Sequence, residues 1–334
     1  LLRLLRLSSL CTGPLTEISS AWELLSQKHL DELLRNGYRD FKRTIGCNYF
    51  NFLVQNGDPQ MAFLEVALGP AVCFGLRTAA QSMPNDPNLQ LPDQAAYRYF
   101  VLLLWTYAQN LDAAGYLDRL DEPREGNPIT VEVNGRRISS DLVNSVLEYY
   151  SIGEAMDFSK CRRVLEIGGG YGRSACSILQ LNPHLQYTLV DVPPALYLAQ
   201  RYLSSVLERE IFMVRHFDDF DDVKSEMERC SVIFLLPHQL CLLPHRRFDL
   251  TLSISSFGEM QPQMIAQYFE EIDRLTRGVF YTKQWKISKN PFDGIDVTKE
   301  DYPVKGSWQT LYQRDARVQT EFFEAAYRIG GTLP

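Results

Sequence analysis

A glutamate, three glycines and an aspartate carry the clearest chemistry in the chain. Glu166, Gly168, Gly170 and Gly172 alternate at the end of an apolar run that begins at Val164. Asp191 follows nineteen positions beyond Gly172, at the end of a second apolar run, Tyr187–Val190. Glycine adopts positive φ at little cost and lets backbone come close to a ligand. A helix starting near Arg173 would present unpaired N–H groups at its positive end. An acid closing the second strand of such a unit reaches the hydroxyl pair of a ribose. The spacing therefore predicts a nucleoside-bearing cofactor, with a ligand-free strand-to-helix turn as the plainer alternative.

The glycine register separates the cofactor classes. The dinucleotide pattern G-x-G-x-x-G/A fails from Gly168, because Arg173 stands where the third glycine belongs. It passes formally from Gly170, with Gly172 and Ala175, but that register starts the turn two residues late and leaves Glu166 unexplained. The pattern E-x-G-x-G-x-G fits all four residues and resembles motif I of the class I S-adenosylmethionine (SAM) methyltransferases. The resemblance implies SAM as cofactor, S-adenosylhomocysteine as product, and an acid near the charged methionine portion. Tyr171 and Val192 join Glu166, Gly168, Gly170, Gly172 and Asp191 as candidate cofactor contacts.

The elements that must hold these residues follow from periodicity. The 334 residues are 45% hydrophobic and 22% charged, an ordinary globular composition with length for two domains. A net charge of −7 argues against a nucleic-acid partner. The seven cysteines are dispersed without a C-x-x-C pair, which fits reduced thiols and a cytoplasmic protein. No apolar run reaches the roughly 18 residues of a membrane span. Residues 1–16 read as a flexible, Leu-rich end; the alternative, a fragment of a targeting segment, rests on two arginines and no acid in Leu1–Thr12. Residues 17–150 read as mainly helical, with Trp22 to Leu34 apolar at spacings of three and four, a break at Gly69-Pro70, a loop over Met83–Pro92 and a long helix over Gln94–Leu111. Thr130–Val133 followed by Asn134-Gly135 predicts a hairpin.

Residues 151–334 alternate strand and helix, which predicts an α/β domain: a Rossmann-like, doubly wound, mostly parallel sheet behind the helical N-terminal domain. The third strand is either Ile211–Val214 or the stronger run Val232–Leu236; the second choice makes His238 and Gln239 candidate cofactor contacts. Phe248–Ile254 is the fourth strand and leads into Ser255–Met260; Gly278–Lys283 is the fifth, and Trp308–Ile329 supplies the last. Ligands bind at the carboxyl ends of such strands, where Glu166, Asp191, His238, Ser255 and Glu259 converge. On the helix from Ser140, Asp141, Asn144, Ser145 and Glu148 share one face, either a solvated face or one that meets a hydroxyl-rich substrate.

VLEIGGGYGR (164–173), YTLVDVP (187–193), FDLTLSISSFGEM (248–260), LDEPREGNP (120–128), NGRRISSDLVNSVLEY (134–149) and FKRTIGCNYFNF (41–52) together resemble the sugar O-methyltransferase family from about Trp22 to Tyr327. The resemblance implies that Ser256, Phe257 and Glu259 face the transferred methyl, and that a sugar or glycoside hydroxyl accepts it. A weakly acidic hydroxyl needs a base in the transition state. Glu259 is the first candidate and His238 the second, His245 and His184 reading as loop residues. A magnesium ion at Asp249 or Asp141 stays open, although no tight acidic cluster calls for one. Other small-molecule acceptors such as phenols, a SAM-binding scaffold without catalysis, a dinucleotide oxidoreductase and a homodimer also remain open at this level.

Overall fold

The computed structural model describes residues 1–9, 15, 20–49, 53–87, 89, 91, 93–290 and 294–330. Two compact units emerge: Leu1–Asp31 with Ser151–Ala316 and Glu321–Pro334, and Glu32–Tyr150 with Arg317–Thr320. Leu1–Asp31 clusters with the sheet unit and not with the helical one. Part of the end read as flexible is the helix Leu2–Ser9, which packs through buried Leu4 on the helix Pro193–Val206.

In the helical unit, the long helix Gln94–Leu111 is buried over most of its length and starts where the Asp93 carboxylate accepts the Ala96 N–H. The break at Gly69-Pro70 separates the helices Leu53–Leu68 and Pro70–Ser82, proline standing at the first turn of the second. Strands β1 (Val131–Val133) and β2 (Arg136–Ile138) form the predicted hairpin; Asn134 and Gly135 both have positive φ, as its two-residue turn requires. The irregular passage before it seats the helix Phe41–Tyr49. Gly126, at φ 78°, lies so close under the Phe41 ring that an added Cβ would come within 2.3 Å of it. Beside it, buried Lys42 and Ser139 share the carboxylate of Glu122, each at 2.6 Å.

The sheet unit is built on β3 (Arg163–Ile167), β4 (Gln186–Val190), β5 (Ile211–Phe212), β6 (Val232–Leu235), β7 (Phe248–Ile254) and β8 (Thr276–Trp285). A small hairpin of β9 (Ile287–Asn290) and β10 (Ile295–Thr298) follows, then β11 (Gln309–Asp315) and β12 (Phe322–Arg328). The eight-stranded sheet has the order β11-β12-β8-β7-β3-β4-β6-β5. From β8 to β5 every pairing is parallel, and β12 runs antiparallel to both of its neighbours. Both segments proposed for the third strand form: the stronger, β6, lies inside against β4, and the shorter, β5, takes the edge. Near-continuous burial of β3, β4, β6 and β7 explains why these read as apolar runs and not as alternating ones. The strand order reverses between β3 and β7, which opens the ligand crevice of an α/β sheet at their carboxyl ends.

Candidate functional site

At that crevice the turn after β3 is closed by hydrogen bonds. The Gly168 N–H donates to the Val190 carbonyl and the Gly172 N–H to the Gly169 carbonyl, each at 2.9 Å. Gly168, Gly170 and Gly172 all hold positive φ, at 74°, 56° and 91°, which is why the alternation is glycine. Gly172 caps the helix Arg173–Leu181, so the turn ends where the E-x-G-x-G-x-G register puts it. The Asp191 carboxylate accepts the Gly170 N–H on one oxygen and the Val192 N–H on the other, both at 2.7 Å. Burial pushes the Asp191 carboxyl up to about 7; those two bonds oppose the shift, while Glu166 and Glu259 add to it. Glu166, also buried, accepts the Tyr187 hydroxyl at 2.9 Å from the next strand, its carboxylate beneath the Gly169 turn.

The opposite wall comes from the end of β7. Ser255 has the left-handed φ of 53°, and its N–H donates to the Lys283 carbonyl. The Ser256 hydroxyl meets Ser253 at 2.9 Å and donates to the Ile167 carbonyl at 3.2 Å, packing directly against Gly168. Gln284, fully buried on β8, accepts the N–H groups of both Ser256 and Phe257 and anchors its own amide nitrogen on Ser253 and Thr282. Gly168, Ser256, Asp191, Val192 and His238 line one cleft. Half-buried His238 is held below its usual range by burial first and by His216 second, which favours the neutral imidazole. Glu259 sits half-exposed on the turn Phe257–Glu259, within electrostatic reach of Asp191.

Several sequence assignments change. Phe257 does not face the crevice: it is fully buried and packs its ring among Tyr268, Phe269 and Tyr302. The left-handed Ser255 redirects the chain, so the aromatic side chain enters the core. Gln239 is buried too; its amide donates to the Arg215 carbonyl and accepts the Leu236 N–H, which commits it to tying its loop to the segment after β5. Tyr171 is buried edge-on against Tyr202 at 5.2 Å, leaving only its backbone for the turn. Asp249 lies at the start of β7, away from the crevice edge, where it accepts Arg277 Nε and the N–H groups of Arg162 and Arg163, so it is a structural acid and not a magnesium ligand. Among the described residues no group of acids, histidines and cysteines could hold a metal ion. Asp141, Asn144 and Ser145 lie in the helical unit; Asn144, Ser145 and Glu148 are buried, so theirs is no solvated face, and the Ser145 hydroxyl donates to the Asp141 carbonyl.

Other wall residues escaped the sequence reading. Met264 and Tyr268, four apart on the helix Pro262–Leu275, line the cleft with Met260, but their spacing is indistinguishable from core. Ser8, Leu15 and Trp22 line it from the N-terminal segment, far from any motif.

Residues 139–225 match the O-methyltransferase domain model. No curated protein matches the chain. Solved structures that resemble it include the pyocyanin biosynthetic protein PhzM, at 17% identity over 70% of this chain and 64% of that one, with a TM-score of 0.39. The N-methyltransferase NodS from Bradyrhizobium japonicum WM9 is 12% identical over 55% and 93%, at 0.38. Geranyl diphosphate methyltransferase, solved with GPP and sinefungin, is 10% identical over 56% and 77%, at 0.39. Likenesses this distant carry no argument about the site. The glycine turn closed on a second-strand aspartate, the sheet and the O-methyltransferase match define a SAM-dependent methyltransferase, and its cofactor is SAM.

The chemistry of the cleft fits that cofactor. Each Asp191 oxygen keeps acceptor capacity for a ribose hydroxyl after its backbone bond, and Val192 and Pro237 give apolar surface in the same cleft. No helix among the described residues is long and apolar enough to cross a membrane.

Proposed function

We propose that this protein methylates a hydroxyl group of a sugar or glycoside at the expense of SAM. The observation that carries the reading is the Asp191 carboxylate, locked between the glycine turn and Val192 at the crevice edge that also bears Glu259. When bound, SAM supplies an electrophilic methyl on a sulfonium. Asp191 holds the ribose, the backbone of Gly168 to Gly172 and the Ser255–Ser256 wall flank the methionine portion, and Glu166 lends negative charge from beneath the turn. His238, with Val192, borders the adenine. Displacement at a methyl carbon proceeds in line, so fixing the acceptor oxygen provides much of the acceleration. Glu259 takes the acceptor's proton as its oxygen attacks; it is the half-exposed carboxylate on the loop beside the cofactor edge, with neutral His238 as the alternative base.

The sugar acceptor rests on the family resemblance of the SFGEM, EPREGNP and motif I passages, and an aromatic hydroxyl is the second reading, favoured by the apolar wall of Met260, Met264 and Tyr268. Titrating S-adenosylhomocysteine into the wild type and Asp191→Ala tests the cofactor site: micromolar binding, lost in the variant, is expected. Turnover on sugar nucleotides, glycosides and phenols then decides the acceptor. Glu259→Gln is expected to lower kcat about 100-fold or more while leaving S-adenosylhomocysteine affinity within twofold; unchanged turnover would reject Glu259 as the base.

A further inference from the structure

The helical unit holds a hollow of its own, of about 380 Å³, within the range of about 300 to 1,000 Å³ usual for small-molecule sites. It shares no residue with the cofactor cleft. Glu65 enters it from the helix Leu53–Leu68, Arg77 and Gln81 from successive turns of Pro70–Ser82, and Asp93 from the cap of Gln94–Leu111. Ala62, Ala95 and Ala96 carry too little side chain to fill the space, and with Met61 they give it an apolar lining. The polar groups are held in place with bonding capacity to spare. Glu65 Oε1 accepts Arg77 Nη2 at 2.6 Å and the Tyr99 hydroxyl at 2.7 Å, and the guanidinium lies over the Tyr99 ring at 4.4 Å. Tyr99 is buried, so this contact is anchored in the core. Glu65 Oε2 and Arg77 Nη1 take no part in it, and the two side chains stay 38% and 55% exposed. Asp93 commits Oδ1 to the Ala96 N–H and keeps Oδ2. The Gln81 amide is exposed and bonds to nothing among the described residues.

The chemistry of this set selects its ligand. Two carboxylates against one guanidinium disfavour an anion, and Arg77 both neutralises Glu65 and repels a cation. The guanidinium and the amide donate, while the amide and the carboxylates accept. A neutral molecule that donates and accepts at several points, and has an apolar face for Met61 and the alanines, meets all of these groups. A pyranose ring is such a molecule. We infer that the hollow is a carbohydrate-binding site: Arg77 and Gln81 donate to sugar oxygens, Glu65 Oε2 and Asp93 Oδ2 accept sugar hydroxyls, and the C–H face of the ring lies on the apolar lining. The inference does not rest on the reaction at the Asp191 crevice or on its acceptor.

The test titrates the full chain, without cofactor, with the methyl α-pyranosides of D-glucose, D-galactose and D-mannose, followed by saturation-transfer difference NMR. At least one should saturate with a millimolar Kd, as expected of a small polar ligand. Gln81→Ala removes one donor and one acceptor and should weaken that binding about fivefold or more. Ala62→Phe, at an exposed position, fills the hollow with a ring and should weaken it further. Circular dichroism and urea midpoints check that both variants are folded. Saturation by none of the three glycosides, or equal binding by wild type and both folded variants, would overturn the site. A glycoside that binds here, is lost in the variants and yet accepts no methyl would uphold the site while counting against a sugar as the methyl acceptor.

Discussion

Asp191 titrates in a range where its two roles conflict. Burial favours the neutral acid, pushed up to about 7, whereas the ribose hydroxyls are best held by the ionised carboxylate. Two consequences follow, of opposite sign. Because the native state holds this proton to higher pH than the unfolded chain does, Asp191 lowers stability progressively as pH rises from about 4 to about 7. Asp191→Asn should therefore gain in thermal midpoint relative to wild type across that window, with no difference below it; parallel melting curves at pH 4.5 and pH 8 would contradict this. Cofactor affinity moves the other way. S-adenosylhomocysteine should bind more tightly at pH 8 than at pH 6, with proton release detectable by calorimetry in buffers of different ionisation enthalpy. The residue types and spacing made Glu166, the glycines and Asp191 legible because each is demanded by backbone geometry or by charge. Phe257 and Gln239 were misread for a local reason. A left-handed non-glycine at Ser255 leaves no mark in sequence, yet it decides which way the next side chains point, and Gln239 folds its amide back onto Leu236.

At the scale of elements, the strands were readable because buried parallel strands are apolar runs, and the hairpin because Asn134-Gly135 suits a turn with two positive φ values. The support beneath the Ser255–Glu259 loop was not, since it comes from Gln284, one residue beyond the strand read as Gly278–Lys283. Gln284 satisfies two buried N–H groups of that loop with a single oxygen. Gln284→Leu keeps the volume but orphans both, at about 2 to 4 kcal/mol by the usual cost of an unmade buried hydrogen bond. Chemical denaturation should show that loss. Because the loop carries Glu259, kcat should fall by more than S-adenosylhomocysteine affinity does. A variant of wild-type stability would mean that water or a shifted loop replaces the amide.

For the whole molecule, the sequence changes period near Tyr150, but nothing in it marks the allegiance of Leu1–Asp31 to the sheet unit. An amphipathic helix announces that it will be buried and does not say against what. The residues assigned to the cofactor all belong to the sheet unit. The helical unit has its own internal anchor, the buried Lys42–Glu122 pair at 2.6 Å with Ser139 on the other carboxylate oxygen. Removing one member of a buried pair strands the other charge and costs about 3 to 5 kcal/mol. Lys42→Met should therefore lower stability by about that amount in urea unfolding, far beyond a surface substitution. If cofactor binding is carried by the sheet unit alone, the same variant should hold S-adenosylhomocysteine within about twofold of wild type at temperatures where it remains folded. A parallel collapse of affinity would contradict the assignment of cofactor binding to residues of the sheet unit.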